Sequence, residues 1–177
     1  MEIDILPKMA RAQIHMVFLV VPRFNITTLI TMIETLRIAN YLAPTSTFSW
    51  EVASFDGSEI TASNGMTARI KTANDNLQPA EFVFILGSWG TEHYHNQKLT
   101  AWLRKRARAG ERICGVELGS YIVARAGLLD GKSATIHWSW LNGFKENFDR
   151  VEVEESLFTL DSKVMTCSGG LAGVDLM

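Results

Sequence analysis

The sequence has little cysteine, no long apolar run and no excess of positive charge, and each shortage excludes a class of protein. Two cysteines, Cys114 and Cys167, cannot form the disulfide framework of a small secreted domain. Both lie in apolar, strand-like segments, so we expect buried, reduced thiols and a cytoplasmic protein. No apolar run reaches the roughly 18 residues that a membrane helix needs. A net charge of −2 provides no general attraction to nucleic acid. We therefore do not expect this chain to bind a membrane or a nucleic acid directly.

The length of the chain, 177 residues, fits one domain with a core of its own. The first residues lack the basic start, apolar centre and cleavage site of a signal peptide. Gly169 and Gly170 are followed by an apolar segment that would begin a helix, yet the sequence stops within two turns. We expect residues 1–177 to form a single domain cut from a longer protein.

Apolar strands alternate with amphipathic helices along the chain, which predicts an α/β fold with a mostly parallel sheet. The predicted strands are Ile14–Val21, Phe48–Phe55, Phe82–Leu86, Arg112–Val116, Thr135–Ile136, Val151–Val153, Leu157–Leu160 and Val164–Cys167. Residues 62–70 are expected to form a short hairpin or edge element. Four helices are predicted. The first begins after the capping residue Asn25, and the others span Leu99–Ala107, Ser120–Ala126 and Trp138–Phe148. The expected architecture is a flavodoxin-like three-layer sandwich.

The most informative segment is the turn Gly115-Val116-Glu117-Leu118-Gly119, which joins a buried strand to a helix. This is the pattern of a nucleophile elbow, in which flanking glycines allow a strained turn to raise one side chain above the sheet. The raised residue here is Glu117, neither serine nor cysteine. Twenty residues later His137 occupies the position expected of a catalytic base. The sequence therefore predicts the architecture of a hydrolase-like site without its nucleophile.

A ligand cavity is expected at the carboxyl ends of the strands, where four segments should converge. They are Gly87–Gly90, Gly115–Gly119, His137–Trp138 and Cys167–Gly170. Glu117 is interpreted either as the floor of this cavity or as a helix-start carboxylate bound to backbone N–H groups. His137 is either a cavity wall hydrogen-bonded to Glu117 or a core residue. Trp89, Trp138 and Trp140 are either aromatic walls or core residues.

No cofactor and no metal ion is expected. The phosphate-binding and dinucleotide-binding patterns are absent. His93 and His95 have no further ligand at matching spacing. The basic run from Arg104 to Arg108 is interpreted as solvated residues near a helix C-terminus rather than a DNA surface.

Seven short motifs, in order along nearly the whole chain, give the sequence a family resemblance. They are Val21–Asn25, Glu34–Asn40, Ala62–Gly65, Ala101–Arg104, Ala124–Gly131, Ala134–Trp138 and Cys167–Gly170. The chain resembles the ThiJ/PfpI-type branch of the class I glutamine amidotransferase-like superfamily, and within it the sensor domain of AraC-family transcriptional regulators. The enzymes of that superfamily carry cysteine at the elbow, where this chain has Glu117.

The resemblance adds expectations about individual residues. It implies that Gly87–Gly90, with Ser88 and Trp89 between the glycines, lies where the superfamily binds an oxyanion through backbone amides; the alternative is a glycine-rich turn from strand to helix without such a role. It also implies that Glu34 can face the cavity, although an ion pair with Arg37 in the same helix is the simpler interpretation. The expected ligand-binding residues are thus Glu34, Ser88, Trp89, Gly90, Glu117, Leu118, His137 and Trp138. None is expected to be catalytic.

The resulting hypothesis is a cytoplasmic, homodimeric sensor domain whose DNA-binding helix-turn-helix module lies beyond residue 177. A carboxylate beside aromatic rings would suit a small cationic or amino-acid-like effector. A protonated or amide-bound Glu117 would instead leave a neutral cavity for an uncharged ligand. The alternatives to a sensor are a ThiJ/PfpI-type hydrolase or hydratase, and a dimerisation scaffold with an unused cavity.

Overall fold

The strands of the chain form one large sheet and two small ones. The computed structural model describes residues 13–73 and 76–177. The strands of these residues are β1 Ile14–Val20, β2 Phe48–Ser54, β3 Glu59–Thr61, β4 Thr67–Arg69, β5 Lys71–Thr72, β6 Phe82–Gly87, β7 Arg112–Glu117, β8 Ser133–Ala134, β9 Glu152–Val153, β10 Phe158–Leu160 and β11 Val164–Cys167. The large sheet has seven strands in the order β10-β11-β7-β6-β1-β2-β5. Its pairings are parallel except that of β10 with β11, which confirms the predicted mostly parallel sheet.

Helices cover both faces of this sheet. They are α1 Ile26–Leu42, α2 Gln97–Arg108, α3 Gly119–Arg125, α4 Leu141–Asn147 and α5 Ala172–Leu176, with short 3-10 turns at Thr91–His93 and Trp138–Trp140. The predicted cap of α1 is confirmed: the side-chain oxygen of Asn25 accepts hydrogen bonds from the backbone N–H groups of Thr27 and Thr28. The resulting flavodoxin-like three-layer sandwich is the one expected from the sequence.

The nearly unbroken apolar character of β1, in which His15 is the one polar residue, follows from its central position. Val17 and Leu19 point to one face and pack in a core with α2, α3 and α4. Phe18 and Val20 point to the other face and pack beneath α1 and α5. A strand covered on both sides has no position at which a polar side chain meets water, so it loses the polar–apolar alternation of a half-exposed strand.

Two predicted strands near the carboxyl end of the chain are wrong in position or in sheet, and one predicted helix is confirmed in part. Residues 135–136 are not a strand; the strand is Ser133–Ala134, which pairs with β9 in a separate two-stranded sheet. The segment predicted as the strand Val151–Val153 is therefore not part of the large sheet. The helix predicted over Trp138–Phe148 is a 3-10 turn followed by α4. The backbone N–H of Thr135 leaves the ladder because it donates to the Thr166 hydroxyl at 2.7 Å.

Other expectations about the chain agree with the structure. Residues 59–69 form an antiparallel hairpin between β3 and β4, as expected for this region. Cys114 and Cys167 are both free and buried. In the part of the chain that the structure describes, no helix is both long and apolar enough to cross a bilayer.

The close packing of α3 on β6 predicts a strong effect of Gly119→Ala. A Cβ atom at Gly119 would lie 1.9 Å from the carbonyl oxygen of Ile85. Because that oxygen belongs to a buried strand and cannot move aside, we expect the free energy of unfolding to fall by more than about 3 kcal/mol. Urea denaturation followed by circular dichroism measures this loss.

Gly143→Ala is the matched control, since Gly143 lies in α4 and its added Cβ would make only ordinary contacts, with the Tyr121 hydroxyl at 3.5 Å and the Trp140 ring at 3.9 Å. We expect this change to stabilise the domain by about 0.5–1 kcal/mol, the usual gain of alanine over glycine in a helix. Equal effects of the two substitutions would contradict the packing argument.

Candidate functional site

The turn between β7 and α3 is a true elbow with Glu117 at its apex. Glu117 has a φ of 56°, in the left-handed region that side-chain-bearing residues seldom adopt. A Cβ at Gly115 would lie 2.7 Å from the Cα of Ser120, and one at Gly169 would lie 2.6 Å from the Cβ of Glu117. Glycine is therefore needed at both positions. At Gly115 the backbone of α3 is too close for a side chain, and at Gly169 the side chain of Glu117 is.

The carboxyl group of Glu117 is buried but only half paired. The side chain belongs to a residue that is 4 % exposed. Its Oε1 accepts a hydrogen bond from the Ser88 hydroxyl at 2.6 Å. Its Oε2 is buried with no hydrogen-bond partner among the described residues. A buried oxygen without a partner is costly, and such an atom at a cavity is ready to accept from a ligand.

The surroundings of Glu117 favour its protonated form. Burial raises the pKa of Glu117 above its ordinary value near 4.5, while Ser88, Asn25 and the charge of His137 act in the lowering direction without cancelling the effect of burial. Burial also raises the pKa of Cys167 to about 11 and that of Cys114 well above its ordinary value. Both thiols are thus kept in their unreactive protonated form.

A cavity of about 340 Å³ opens directly above Glu117. Five of the expected ligand-binding residues line it: Ser88, Trp89, Glu117, His137 and Trp138. Trp89 is 55 % exposed and Trp138 is 72 % exposed, so neither is a core residue. Trp140 instead packs edge-on against Tyr121, with ring centroids 6.2 Å apart. The cavity has a carboxyl group at its base and two aromatic rings at its walls.

The other three expected residues lie elsewhere. Glu34 pairs with Arg37 on the surface of α1, with Oε2 and Nη2 2.6 Å apart, which is the simpler of its two interpretations. The N–H of Gly90 donates to Oε2 of Glu92 at 2.8 Å. Leu118 is fully buried and its N–H donates to the carbonyl of Gly87 at 3.1 Å. None of the three lines the cavity, and the two amides are already engaged.

His137 stands at the cavity wall but makes no hydrogen bond with Glu117. Its Nδ1 lies 2.8 Å from the hydroxyl of Ser139, two residues along the chain. The expected Glu117–His137 hydrogen bond is therefore wrong. The local contact prevails because the 3-10 turn at Trp138–Trp140 brings Ser139 back over the histidine ring.

Sequence reasoning missed two residues of the cavity, Asn25 and Ser63. Ser168, Gly169 and Gly170 also line it, and they belong to the segment Cys167–Gly170 that was expected to converge there. Asn25 was recognised only as a helix cap, and Ser63 only as part of a short motif. Both come from loops far from the elbow in sequence, and a local pattern gives no sign of which loop folds over which strand end.

No metal site is found among residues 13–73 and 76–177, where no three His, Cys, Asp or Glu side chains converge. The side chain of His93 is largely exposed and lies 3.8 Å from Glu92. The absence of a metal from the functional cycle stays a prediction.

The family of the chain follows from comparison with known proteins. Residues 16–177 match the model of the DJ-1/PfpI family. The chain belongs to the DJ-1/PfpI family. The three-layer sandwich is thus the fold of that family, and the sequence resemblance is confirmed.

The relatives of this DJ-1/PfpI domain include regulators and an enzyme. It is 35 % identical over 160 residues to the HTH-type transcriptional regulator CdhR of Pseudomonas aeruginosa. The aligned residues make up 90 % of this chain and 47 % of CdhR. A more distant relative is isonitrile hydratase of Pseudomonas putida, 25 % identical over 117 residues, covering 66 % of this chain and 50 % of the hydratase.

The fold of the domain also matches solved structures. An AraC family transcriptional regulator from Pseudomonas putida superposes with a TM-score of 0.84 at 20 % identity, over 92 % of this chain and 88 % of that one. The chain spans about half the length of the curated relatives it matches.

The buried carboxyl group predicts an unusual pH dependence for Glu117→Gln. Because the folded protein raises the pKa of Glu117, the folded state holds this proton more tightly than the unfolded state. The contribution of Glu117 to stability is complete below about pH 4.5 and is lost as the pH rises through the folded pKa. The glutamine variant has no such proton to lose, so its free energy of unfolding should increase relative to that of the wild type as the pH rises. The increase is about 1.4 kcal/mol for each unit by which the pKa of Glu117 in the folded state exceeds that in the unfolded state.

Urea denaturation of both proteins from pH 4 to pH 8 measures this difference. Glu34→Gln is the control, because its ion pair with Arg37 lowers the pKa of Glu34 and so gives the opposite sign. A wild type that gains stability over Glu117→Gln with rising pH would contradict the interpretation.

Proposed function

We propose that this domain senses a small molecule for a cytoplasmic transcriptional regulator of the AraC type. The observation that carries the proposal is the elbow cavity, which keeps the form of an active site but has a carboxyl group at the apex. The similarity to CdhR, an HTH-type transcriptional regulator, supports the assignment. On this proposal a helix-turn-helix module outside residues 1–177 contacts DNA, because the present chain spans about half of that relative.

The chemistry of the apex argues for binding over catalysis. A carboxylate is a weak nucleophile, and burial further reduces the ionised fraction of Glu117. The thiols, Cys114 and Cys167, are buried and do not line the cavity. His137 is engaged with Ser139 rather than positioned to activate a nucleophile. The described residues thus offer no activated nucleophile at the apex.

The effector that fits this cavity best is a small organic cation. A ligand N–H can donate to the unpartnered Oε2 of Glu117. Burial raises the pKa of Glu117 in the free protein, and the positive charge of a bound cation would lower that pKa again and stabilise the ionised carboxylate. The exposed rings of Trp89 and Trp138 offer cation–π contacts of about 0.5–2 kcal/mol each. Asn25, Ser63 and Ser168 add polar groups that can orient an amino-acid-like ligand.

The strongest rival is an enzyme of the hydrolase or hydratase kind. The distant similarity to isonitrile hydratase favours it. In that case the short Ser88–Glu117 hydrogen bond would serve proton transfer rather than ligand binding. Turnover measurements separate the two functions.

We also propose that the protein acts as a homodimer, as regulators that read paired DNA half-sites commonly do. Exposed apolar side chains on α1 support a contact through this outer helix. They are Ile30, Ile38, Tyr41 and Leu42.

A thermal-shift screen of organic cations tests the sensor proposal. At 100 times its dissociation constant a ligand adds about 2.7 kcal/mol, which corresponds to a rise in Tm of roughly 5–10 °C for a domain of this size. We expect ammonium compounds such as betaines, arginine and polyamines to include such a ligand, and neutral or anionic metabolites to leave the Tm unchanged. The opposite pattern would refute the cationic class.

Glu117→Gln should weaken the cation that binds by about tenfold or more, because a charged hydrogen-bond partner becomes neutral. Glu34→Gln is the matched control: it removes a carboxylate of the same kind that does not line the cavity. Titration calorimetry should give the control the wild-type affinity. Equal weakening by both variants would show a general charge effect rather than a site.

The non-catalytic role predicts no steady turnover of peptide, amide, 2-oxoaldehyde or isonitrile substrates above the buffer rate. Removing an elbow nucleophile lowers a rate by several orders of magnitude. Steady-state assays of the purified protein measure this directly. Sustained turnover that Glu117→Gln abolishes would establish the enzyme instead.

A further inference from the structure

A second cavity lies beside the elbow cavity and shares two of its walls. Its volume is about 350 Å³. Trp138 and Ser168 line both cavities. The remaining residues of the second cavity are Thr135, Ile136, Leu141, Glu155, Ser156 and Leu157. The ring of Trp138 therefore stands at the boundary of two adjoining spaces.

The second cavity offers apolar contact beside polar groups, of which those of Thr135 are already engaged. The Thr135 hydroxyl donates to the carbonyl of Ser156 at 2.8 Å, and the Thr135 N–H donates to Thr166. Leu141 and Leu157 supply apolar surface, and Leu157 is 58 % exposed. Glu155, an exposed carboxylate, disfavours an anionic group at this end. An uncharged hydrocarbon segment is the ligand group that suits such a surface.

Trp138 is held where it can contact both parts of one molecule. The N–H of Trp140 donates to the carbonyl of His137 at 2.8 Å and closes the 3-10 turn that carries Trp138. The rings of His137 and Trp138 lie 5.4 Å apart at an angle of 33°. With 72 % of its surface exposed, the Trp138 side chain can gain a large contact area from a ligand.

We propose that the two cavities form one bipartite site for an elongated organic cation. The charged head lies against Glu117, and an apolar stem passes Trp138 toward Leu141 and Leu157. The proposal rests on the proposed function, since it assigns the head of the effector to the elbow cavity. It adds that the second cavity selects ligands by the length of the stem.

Titration calorimetry with alkyltrimethylammonium ions tests the stem directly. The probes run from tetramethylammonium to hexyltrimethylammonium, so that the head stays constant while the stem grows. Each buried methylene contributes about 0.8 kcal/mol, so affinity should rise roughly fourfold per carbon until the second cavity is filled. Binding that is independent of stem length would refute the bipartite site while leaving the cation site intact.

The variant Leu157→Ser locates the stem. Leu157 is exposed, so the substitution should leave the Tm and the affinity for tetramethylammonium unchanged. It should reduce the affinity for hexyltrimethylammonium about tenfold, by removing apolar contact and adding a hydroxyl. Leu160→Ser is the matched control, because Leu160 is a nearby leucine, 66 % exposed, that does not line the cavity.

The outcomes separate the two proposals. An equal effect of Leu157→Ser and Leu160→Ser would place the stem elsewhere and refute the bipartite site. No binding by any member of the series would refute the cation site itself, and the bipartite site with it. Stem-dependent binding that only Leu157→Ser weakens would support both.

Discussion

The close approach of three backbone segments at Glu117 is the constraint on which the rest of the site depends. The end of β7, the start of α3 and the loop at Gly169 meet at distances that admit no further side chain. The apex residue must therefore adopt a left-handed φ, which holds its side chain at the carboxyl edge of the sheet. Backbone strain of about 1–3 kcal/mol at such a position persists only where the surrounding packing enforces it.

A network of buried hydroxyl groups connects the sheet to the wall of the cavity. The Ser120 hydroxyl donates to the carbonyl of Thr135 at 3.1 Å, and the Thr166 hydroxyl accepts from the Thr135 N–H. The hydroxyls of Thr166 and Thr159 lie 2.6 Å apart. These bonds join α3, β10 and β11 to the segment that leads into His137 and Trp138. The aromatic wall is thus positioned by the same core that positions Glu117.

A carboxyl group at the apex changes what the shared architecture can do. A thiol in this position gains reactivity when its proton is removed, whereas a buried carboxyl group gains most from a partner that supplies positive charge or a donor. One oxygen of Glu117 already accepts a hydrogen bond from Ser88, and the other accepts none in the described part of the chain, although the Asn25 side chain helps to stabilise the charged carboxylate. The apex therefore presents one unpaired carboxyl oxygen to the cavity in place of a thiol.

The sequence by itself determined the layered fold and the elbow, because both follow from patterns of residues that are close together in the chain. Continuous apolar strands such as β1 require cover on both faces, and Gly115 and Gly119 around Glu117 specify a turn that few other residues permit. Only the tertiary structure decided the partners. Glu34 forms an ion pair with Arg37, and His137 bonds to Ser139. Asn25 and Ser63, from loops distant in sequence, line the cavity. A hydrogen bond depends on distances of tenths of an ångström between separate segments, and the periodicity of a sequence carries no such information.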